Sequence, residues 1–381
     1  MVDGYAADGL GGVRDAFQAN FDEDLELGAG FAVWLDGELV VDLRGGWADR
    51  ARKTPWGPDT IVPVYSTTKG VAALVIAHLI DQAPGVSYET PVADLWPEFG
   101  AAGKDRVTLA ELLSHQAGLP GFVEPIDPAL WLDPPALAAA LAPLPPLWTP
   151  GDGSGYHPLT WGYLAGEIAQ RLAGRSLGTV LKEVFTNADG ALPRREIIDF
   201  RIGTPPSEHA RCADIKRPSA LAELGELNEF KRAAFMTKWA APDRGGAVWR
   251  EVEIPSANGH GTAAAVARLY SIYAHGGRLR DREFISADTF AAFTKPRTIG
   301  PDRVLPFEME FAAGVFRNNN LIYGPNPETL AHAGWGGSMA FGDPDRGLAA
   351  AYVMNRQSNK LQGDARPARL IDALYAALSG R

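Results

Sequence analysis

Cysteine is nearly absent: Cys212 is the single one in 381 residues, so no internal disulfide can form. Basic charge is short as well, with 36 Lys and Arg against 46 Asp and Glu and a net charge of −10. That balance excludes nucleic acid or an anionic membrane as the main partner. The seven histidines show no His-Glu-x-x-His, and there is no paired-cysteine set, so no metal is expected. A phosphate loop and a dinucleotide fingerprint are both missing, so no cofactor is expected either. The Gly-x-Ser-x-Gly elbow is missing too, because Gly336-Gly337-Ser338-Met339-Ala340 lacks its last glycine. The longest apolar run is too short to span a bilayer. The start, Met1-Val2-Asp3-Gly4-Tyr5, has neither the basic region nor the apolar core of a secretory signal, so a cytoplasmic location is expected.

What the chain does have is Val64-Tyr65-Ser66-Thr67-Thr68-Lys69-Gly70 at the head of an apolar run to Ile80, stopped by Asp81-Gln82-Ala83-Pro84-Gly85. This pattern predicts a buried helix with Ser66 in its first turn. Ser66 and Lys69 are three apart and share a helix face. Unpaired N–H groups and the positive end of the helix dipole favour negative charge near Ser66. By itself, Ser-x-x-Lys also describes an N-cap serine followed by a solvated lysine. The setting argues otherwise: Lys69 is the only charge between Asp59 and Asp81. Burial lowers a lysine pKa and makes the amine a base at neutral pH.

Along the chain, 9–27 reads as an amphipathic helix. Phe31–Leu35 and Leu39–Leu43 flank Asp36-Gly37-Glu38, a hairpin signal. Residues 61–65 read as a strand. Helices are predicted at 108–114, 134–142, 159–173, 176–186 and 219–240, with 187–217 as loop. A helix follows at 262–275, then strands at 311–316, 337–341 and 347–355, and a final amphipathic helix at 366–378. The pattern predicts an α+β fold: an antiparallel sheet shared by the two chain ends, flanked by terminal helices, with a large helical insertion. The expected parts are 1–70 plus 256–381, and 71–255, with a site in the cleft between them.

Four further clusters carry candidate chemistry. Ser114-His115-Gln116-Ala117-Gly118 reads first as a helix end with a glycine stop. Gly151-Asp152-Gly153-Ser154-Gly155-Tyr156 presents an aromatic hydroxyl from a glycine turn, or a tyrosine that merely packs on the surface. Ser256-Ala257-Asn258-Gly259-His260-Gly261 precedes a helix and also fits a simple N-cap. His332-Ala333-Gly334-Trp335-Gly336-Gly337 has small residues that let a substrate approach the backbone, or that allow close packing.

In order and spread, these clusters resemble the serine β-lactamase and penicillin-binding-protein superfamily, most nearly the family VIII carboxylesterases related to class C β-lactamases. The resemblance implies a β-lactamase/transpeptidase-like fold and a serine acyl-enzyme. It makes Ser66 the nucleophile, Lys69 the group that takes or shares its proton, and Tyr156 the relay to the leaving group and back from water. It places the oxyanion hole at the backbone N–H groups of Ser66 and Trp335. Substrate contacts would come from His332, Gly334, Trp335, Gly336, Asn258 and His260. The chain departs from the family at Pro158, where Tyr-x-Asn has its asparagine, and at His332 and Ala333, where Lys-Thr-Gly has its lysine and hydroxyl. Both losses disfavour β-lactams and fit a neutral ester. Trp335, with Trp161 or Trp131, would wall an apolar pocket, unless these tryptophans are simply core. The expected activity is therefore hydrolysis of short- to medium-chain carboxylic esters, with a small-molecule substrate as the partner. Acyl transfer, amide or peptide hydrolysis at the same site, and a non-catalytic binding protein of this fold are the alternatives.

Overall fold

The computed structural model describes residues 2–186, 197–220, 222–236 and 244–379. The strands in chain order are β1 (Val2–Ala6), β2 (Gly28–Leu35), β3 (Glu38–Gly46), β4 (Val62–Pro63), β5 (Phe200–Ile202), β6 (Gly259–Gly261), β7 (Arg278–Leu279) and β8 (Arg282–Glu283). After these come β9 (Thr298–Pro301), β10 (Glu308–Phe311), β11 (Phe316–Arg317), β12 (Leu330–Ala333), β13 (Met339–Asp343) and β14 (Leu348–Met354). The main sheet has nine strands in the order β1-β3-β2-β14-β13-β12-β11-β10-β9. Every pairing is antiparallel, and the two chain ends meet where Leu35 faces Leu348 and Ala29 faces Met354.

Side-chain alternation builds two cores on this sheet. Phe31, Val33, Phe341 and Tyr352 point to one face, where they pack with Phe17 of helix α1 (Gly11–Asp22) and Leu370 of the C-terminal helix Ala365–Ser379. The other face is lined by Ala32, Ala340, Ala349 and Ala351. These small side chains let the helix Ala263–Ala274 lie close. At Gly342 an added Cβ would come within 2.6 Å of the Tyr270 carbonyl oxygen.

Several predicted elements need correction. The 9–27 helix is shorter, Gly11–Asp22. Among the described residues of 219–240, only Glu229–Lys231 and a π-helical turn at Arg232–Met236 are helical, and 221 and 237–240 lie outside the described residues. Gly225 takes a left-handed conformation at φ +66°, and Asn228 caps the helix by accepting the Lys231 N–H at 2.8 Å. The 311–316 strand is really a reversal. Ala312 N–H donates to Val315 O, and Gly314 (φ +100°) tucks against Ala73. The 337–341 strand starts later, at Met339, because Gly336 and Gly337 form a turn with φ of +94° and +122°. Within 187–217, residues 200–202 are a strand rather than loop, while 187–196 lie outside the described residues.

The element that places the site is helix α2 (Thr67–Gln82), buried on almost every side. Tyr270 and Tyr273 donate to the carbonyls of Thr67 (2.8 Å) and Gly70 (2.7 Å), fastening its first turn. Gly70 makes this approach possible, since a Cβ there would lie 2.0 Å from the Tyr270 hydroxyl.

Candidate active site

Ser66 stands at the junction of β4 and α2. Val64 N–H donates to Gly259 O at 2.9 Å, and Thr68 Oγ1 accepts the Gly259 N–H at 3.0 Å, so strand and helix grip the same residue. Between them Tyr65 is forced to φ +47°, a conformation that a bulky residue avoids. Bonded amides in the first turn begin at Thr67, whose N–H reaches Val64 O. The Ser66 N–H thus sits just ahead of them at the helix start, as the sequence suggested for an anion-stabilising position.

Lys69 is completely buried. Its Nζ lies 3.0 Å from Ser66 Oγ, 2.7 Å from Pro158 O and 3.1 Å from Ser256 O. Burial holds its pKa well below the ordinary lysine value. A neutral amine has two hydrogens and one lone pair. The two carbonyls can only accept, so they take the hydrogens and the lone pair is left for the Ser66 hydroxyl.

Tyr156 is clamped by rings. His115 lies 4.7 Å away centroid to centroid, Phe311 is stacked at 6.3 Å, and Lys69 Nζ is 4.8 Å from the Tyr156 ring centre. Asp302 holds its backbone by accepting the Tyr156 N–H at 3.0 Å, along with those of Val304 and Leu305. Burial pushes the phenol pKa up, opposed by its bond to the Ser66 hydroxyl, so the group stays a protonated phenol. His157 is locked between Gly155 O and the Leu119 N–H, and burial takes its pKa down to about 3.

Ser66, Tyr156 and Trp335 line one cavity of about 360 Å³, walled mainly by apolar and aromatic side chains such as Trp131, Trp249 and Phe316. The Trp335 ring packs edge-on to Tyr65 at 6.3 Å, with the Arg244 guanidinium over it at 4.6 Å. Among the described residues no cluster of His, Cys, Asp or Glu could hold a metal, and no helix is long and apolar enough to cross a membrane.

The sequence profile of the Beta-lactamase family matches residues 17–374. The chain belongs to the beta-lactamase family. The esterase/beta-lactamase LipL of Mycobacterium tuberculosis is 34% identical over 345 residues, 86% of this chain and 77% of that protein. A penicillin-binding protein homologue from Caulobacter crescentus has 50% identity and a TM-score of 0.93, covering 99% of this chain and 100% of that one. A family VIII carboxylesterase has 38% identity and a TM-score of 0.90 over the same shares. The resemblance and the β-lactamase/transpeptidase-like fold read from the sequence therefore hold.

This member of the beta-lactamase family brings Ser66, Lys69, Tyr156, His332 and Trp335 together, and it leaves Asn258, His260, Gly334 and Gly336 outside the cavity lining. The Asn258 amide donates to Trp249 O and Val252 O and accepts the Ile254 N–H, so it is spent on shaping the 249–258 segment. His260 lies on β6, its Nδ1 donating to Asn258 O at 2.7 Å, outside the cavity lining. His332 does line the cavity, buried and held neutral with a pKa of about 3. Gly334 and Gly336 lie outside the cavity lining, packed closely by their neighbours. A Cβ on Gly334 would come within 2.2 Å of Val64 O, and one on Gly336 within 2.6 Å of Gln357. Trp131 lines the cavity, whereas Trp161 is core, donating to Leu113 O at 2.9 Å. The carbonyls of Pro158 and Ser256 and the carboxylate of Asp302 had no local signal in the sequence.

Proposed function

We propose that this chain is a serine carboxylesterase that cleaves short- to medium-chain esters through a covalent acyl-enzyme on Ser66. The observation that carries this reading is the Lys69 amine, buried, fixed by two carbonyls and 3.0 Å from Ser66 Oγ. A serine hydroxyl becomes a nucleophile when an adjacent base takes its proton. Lys69 takes that proton as Ser66 Oγ attacks the ester carbon. The tetrahedral oxyanion lies against the N–H groups of Ser66 and Trp335, each such donor typically worth about 3–4 kcal/mol. Tyr156, a phenol at rest, gives its proton to the leaving alkoxide; the transient tyrosinate then takes a proton from the attacking water, and the proton held on Lys69 returns to Ser66 Oγ as the acid is released. The apolar cavity suits a neutral acyl chain. In this reading the site lies in the cleft between residues 1–70 with 256–381 and the helical part 71–255.

The family neighbours support the ester half of the reading: LipL is called an esterase/beta-lactamase, and another neighbour is a family VIII carboxylesterase. Intact-protein mass spectrometry tests it, with p-nitrophenyl butyrate turnover and a fluorophosphonate label compared between wild type and Ser66→Ala. A stable adduct and turnover on wild type alone are expected. An unlabelled, inactive wild type would refute it and favour a binding protein.

A further inference from the structure

We propose that Arg366, in the first turn of the C-terminal helix, is a positioning residue that sets the direction of the Trp335 N–H. The inference rests on the oxyanion role given to that N–H above.

The turn after β12 is closed by its own bond from the Gly334 N–H to Ser338 O at 2.7 Å and carries two consecutive glycines. Gly336 and Gly337 adopt φ of +94° and +122°, where glycine has many alternatives. Arg366 Nη2 donates to Gly336 O at 2.9 Å, and the Ser358 N–H donates to the same oxygen at 2.9 Å. The Gly336 carbonyl and the Gly337 N–H belong to one planar trans peptide and point in opposite directions. That Gly337 N–H donates to Gly334 O at 3.2 Å. The Gly334 carbonyl in turn shares a peptide plane with the Trp335 N–H, again opposed. Holding Gly336 O therefore fixes two peptide planes and turns the Trp335 N–H outward from the turn. Gln357 Nε2 secures the plane between them through Trp335 O at 3.0 Å.

The guanidinium is fully engaged. Nε and Nη2 grip Asp364 at 3.0 and 2.7 Å, Nη1 reaches Glu26 Oε2 at 3.1 Å and Arg356 O at 2.7 Å, and Nη2 spends its second hydrogen on Gly336 O. All five N–H groups are used. Burying an arginine between two buried carboxylates gives little net stability compared with apolar packing. Its distinctive product is geometry: a rigid fork aimed at one carbonyl of the active-site turn.

The test compares Arg366→Lys with Glu26→Gln, which weakens the same network on the side away from the turn. Steady-state kinetics on p-nitrophenyl butyrate, melting temperature and hydrogen–deuterium exchange of residues 333–338 are read for each. Arg366→Lys should lower kcat about 10- to 100-fold, part of the effect of deleting an oxyanion donor, with little change in KM. Exchange in 333–338 should rise. Glu26→Gln should lower the melting temperature while kcat and that exchange stay near wild type. If Arg366→Lys does not fold, Asp364→Asn removes one of the two acceptor oxygens that grip the guanidinium and should show the same split more weakly. The proposal is overturned if the folded variant keeps kcat and exchange unchanged, or if Glu26→Gln lowers kcat equally. A wild type without ester turnover would refute the esterase reading, and the exchange data would still decide the role of Arg366.

Discussion

Replacing Tyr156 by Phe removes one oxygen and keeps the ring. The contacts that hold the ring are with His115, Phe311, His332 and Lys69, and none of them needs the hydroxyl. Asp302 holds the residue through its backbone N–H, which Phe also has. The fold should therefore survive with the melting temperature little changed, and the loss should fall on chemistry. A positioned proton donor typically contributes about 100- to 10,000-fold, or about 3–5 kcal/mol. Burial raises the Tyr156 pKa, so at rest the group is a phenol that can donate a proton in acylation, and not a tyrosinate that takes the Ser66 proton. That assignment makes a sharper prediction than a general loss of rate. An alkyl ester leaves as a strongly basic alkoxide and needs the proton, whereas p-nitrophenolate leaves without one. In pre-steady-state acylation, Tyr156→Phe should lose the full factor on ethyl butyrate and less than about tenfold on p-nitrophenyl butyrate. Equal losses on both esters would refute the proton-donor role, and so would a near-wild-type rate on the alkyl ester.

The pH profile of kcat/KM should show an acid limb belonging to Lys69. Activity needs the neutral amine, and burial holds its pKa well below the ordinary lysine value, so activity is present above that depressed pKa and lost as pH falls through it. Burial keeps His157 and His332 near 3, so a limb that survived in a Lys69→Ala variant would overturn the assignment. Gly70→Ala should destabilise the protein by about 1–3 kcal/mol, because the new Cβ meets the Tyr270 hydroxyl at 2.0 Å and overpacking outweighs the gain in helix propensity. Thermal melts should show part of that loss recovered in Gly70→Ala/Tyr270→Phe, and additive effects would sink the argument. Penicillin-type substrates should turn over far more slowly than p-nitrophenyl butyrate, and the reverse ranking in parallel assays would refute the reading of Pro158 and Ala333.

Features set by short spacings were legible in the sequence. Ser66 and Lys69 meet because three residues on a helix always do, and Asp36-Gly37 makes its hairpin because both residues accept positive φ, here 49° and 81°. Features set by distant partners were not. Asp302 reaches Tyr156 across 146 residues, and Arg366 reaches Gly336 across 30. Neither has a neighbouring pattern that marks it. Asn258 and His260 share a glycine-rich stretch that looks like a site, yet the Asn258 side chain is used up inside its own loop. Strand β1 was missed because it is a half-exposed edge with Gly4 in its middle, so it lacks an apolar run.

Pro158 shows how one substitution can alter substrate preference and leave the nucleophile intact. The family's Tyr-x-Asn pattern puts a side-chain amide at this position, and proline has none. Its carbonyl remains, however, and accepts a hydrogen from Lys69 at 2.7 Å. Lys69 is therefore anchored by backbone, which no side-chain change removes, while a proline ring lines the cavity where the family pattern has an amide. The strand that carries Trp335 repeats the pattern. His332 is neutral and Ala333 has no hydroxyl, but Gly334 still approaches Val64 O closely enough to exclude a Cβ. Arg244 does reach the cavity, but it comes from a different segment and stacks on the Trp335 ring. A carboxylate held against His332 and Ala333 would give up its hydration there for no fixed charge, a cost of several kcal/mol. A neutral acyl chain loses nothing of the kind and gains by burial. Both departures keep the backbone parts that the acyl-enzyme chemistry needs and discard the side chains that would select a charged β-lactam, and this is why the proposed substrate is a neutral ester.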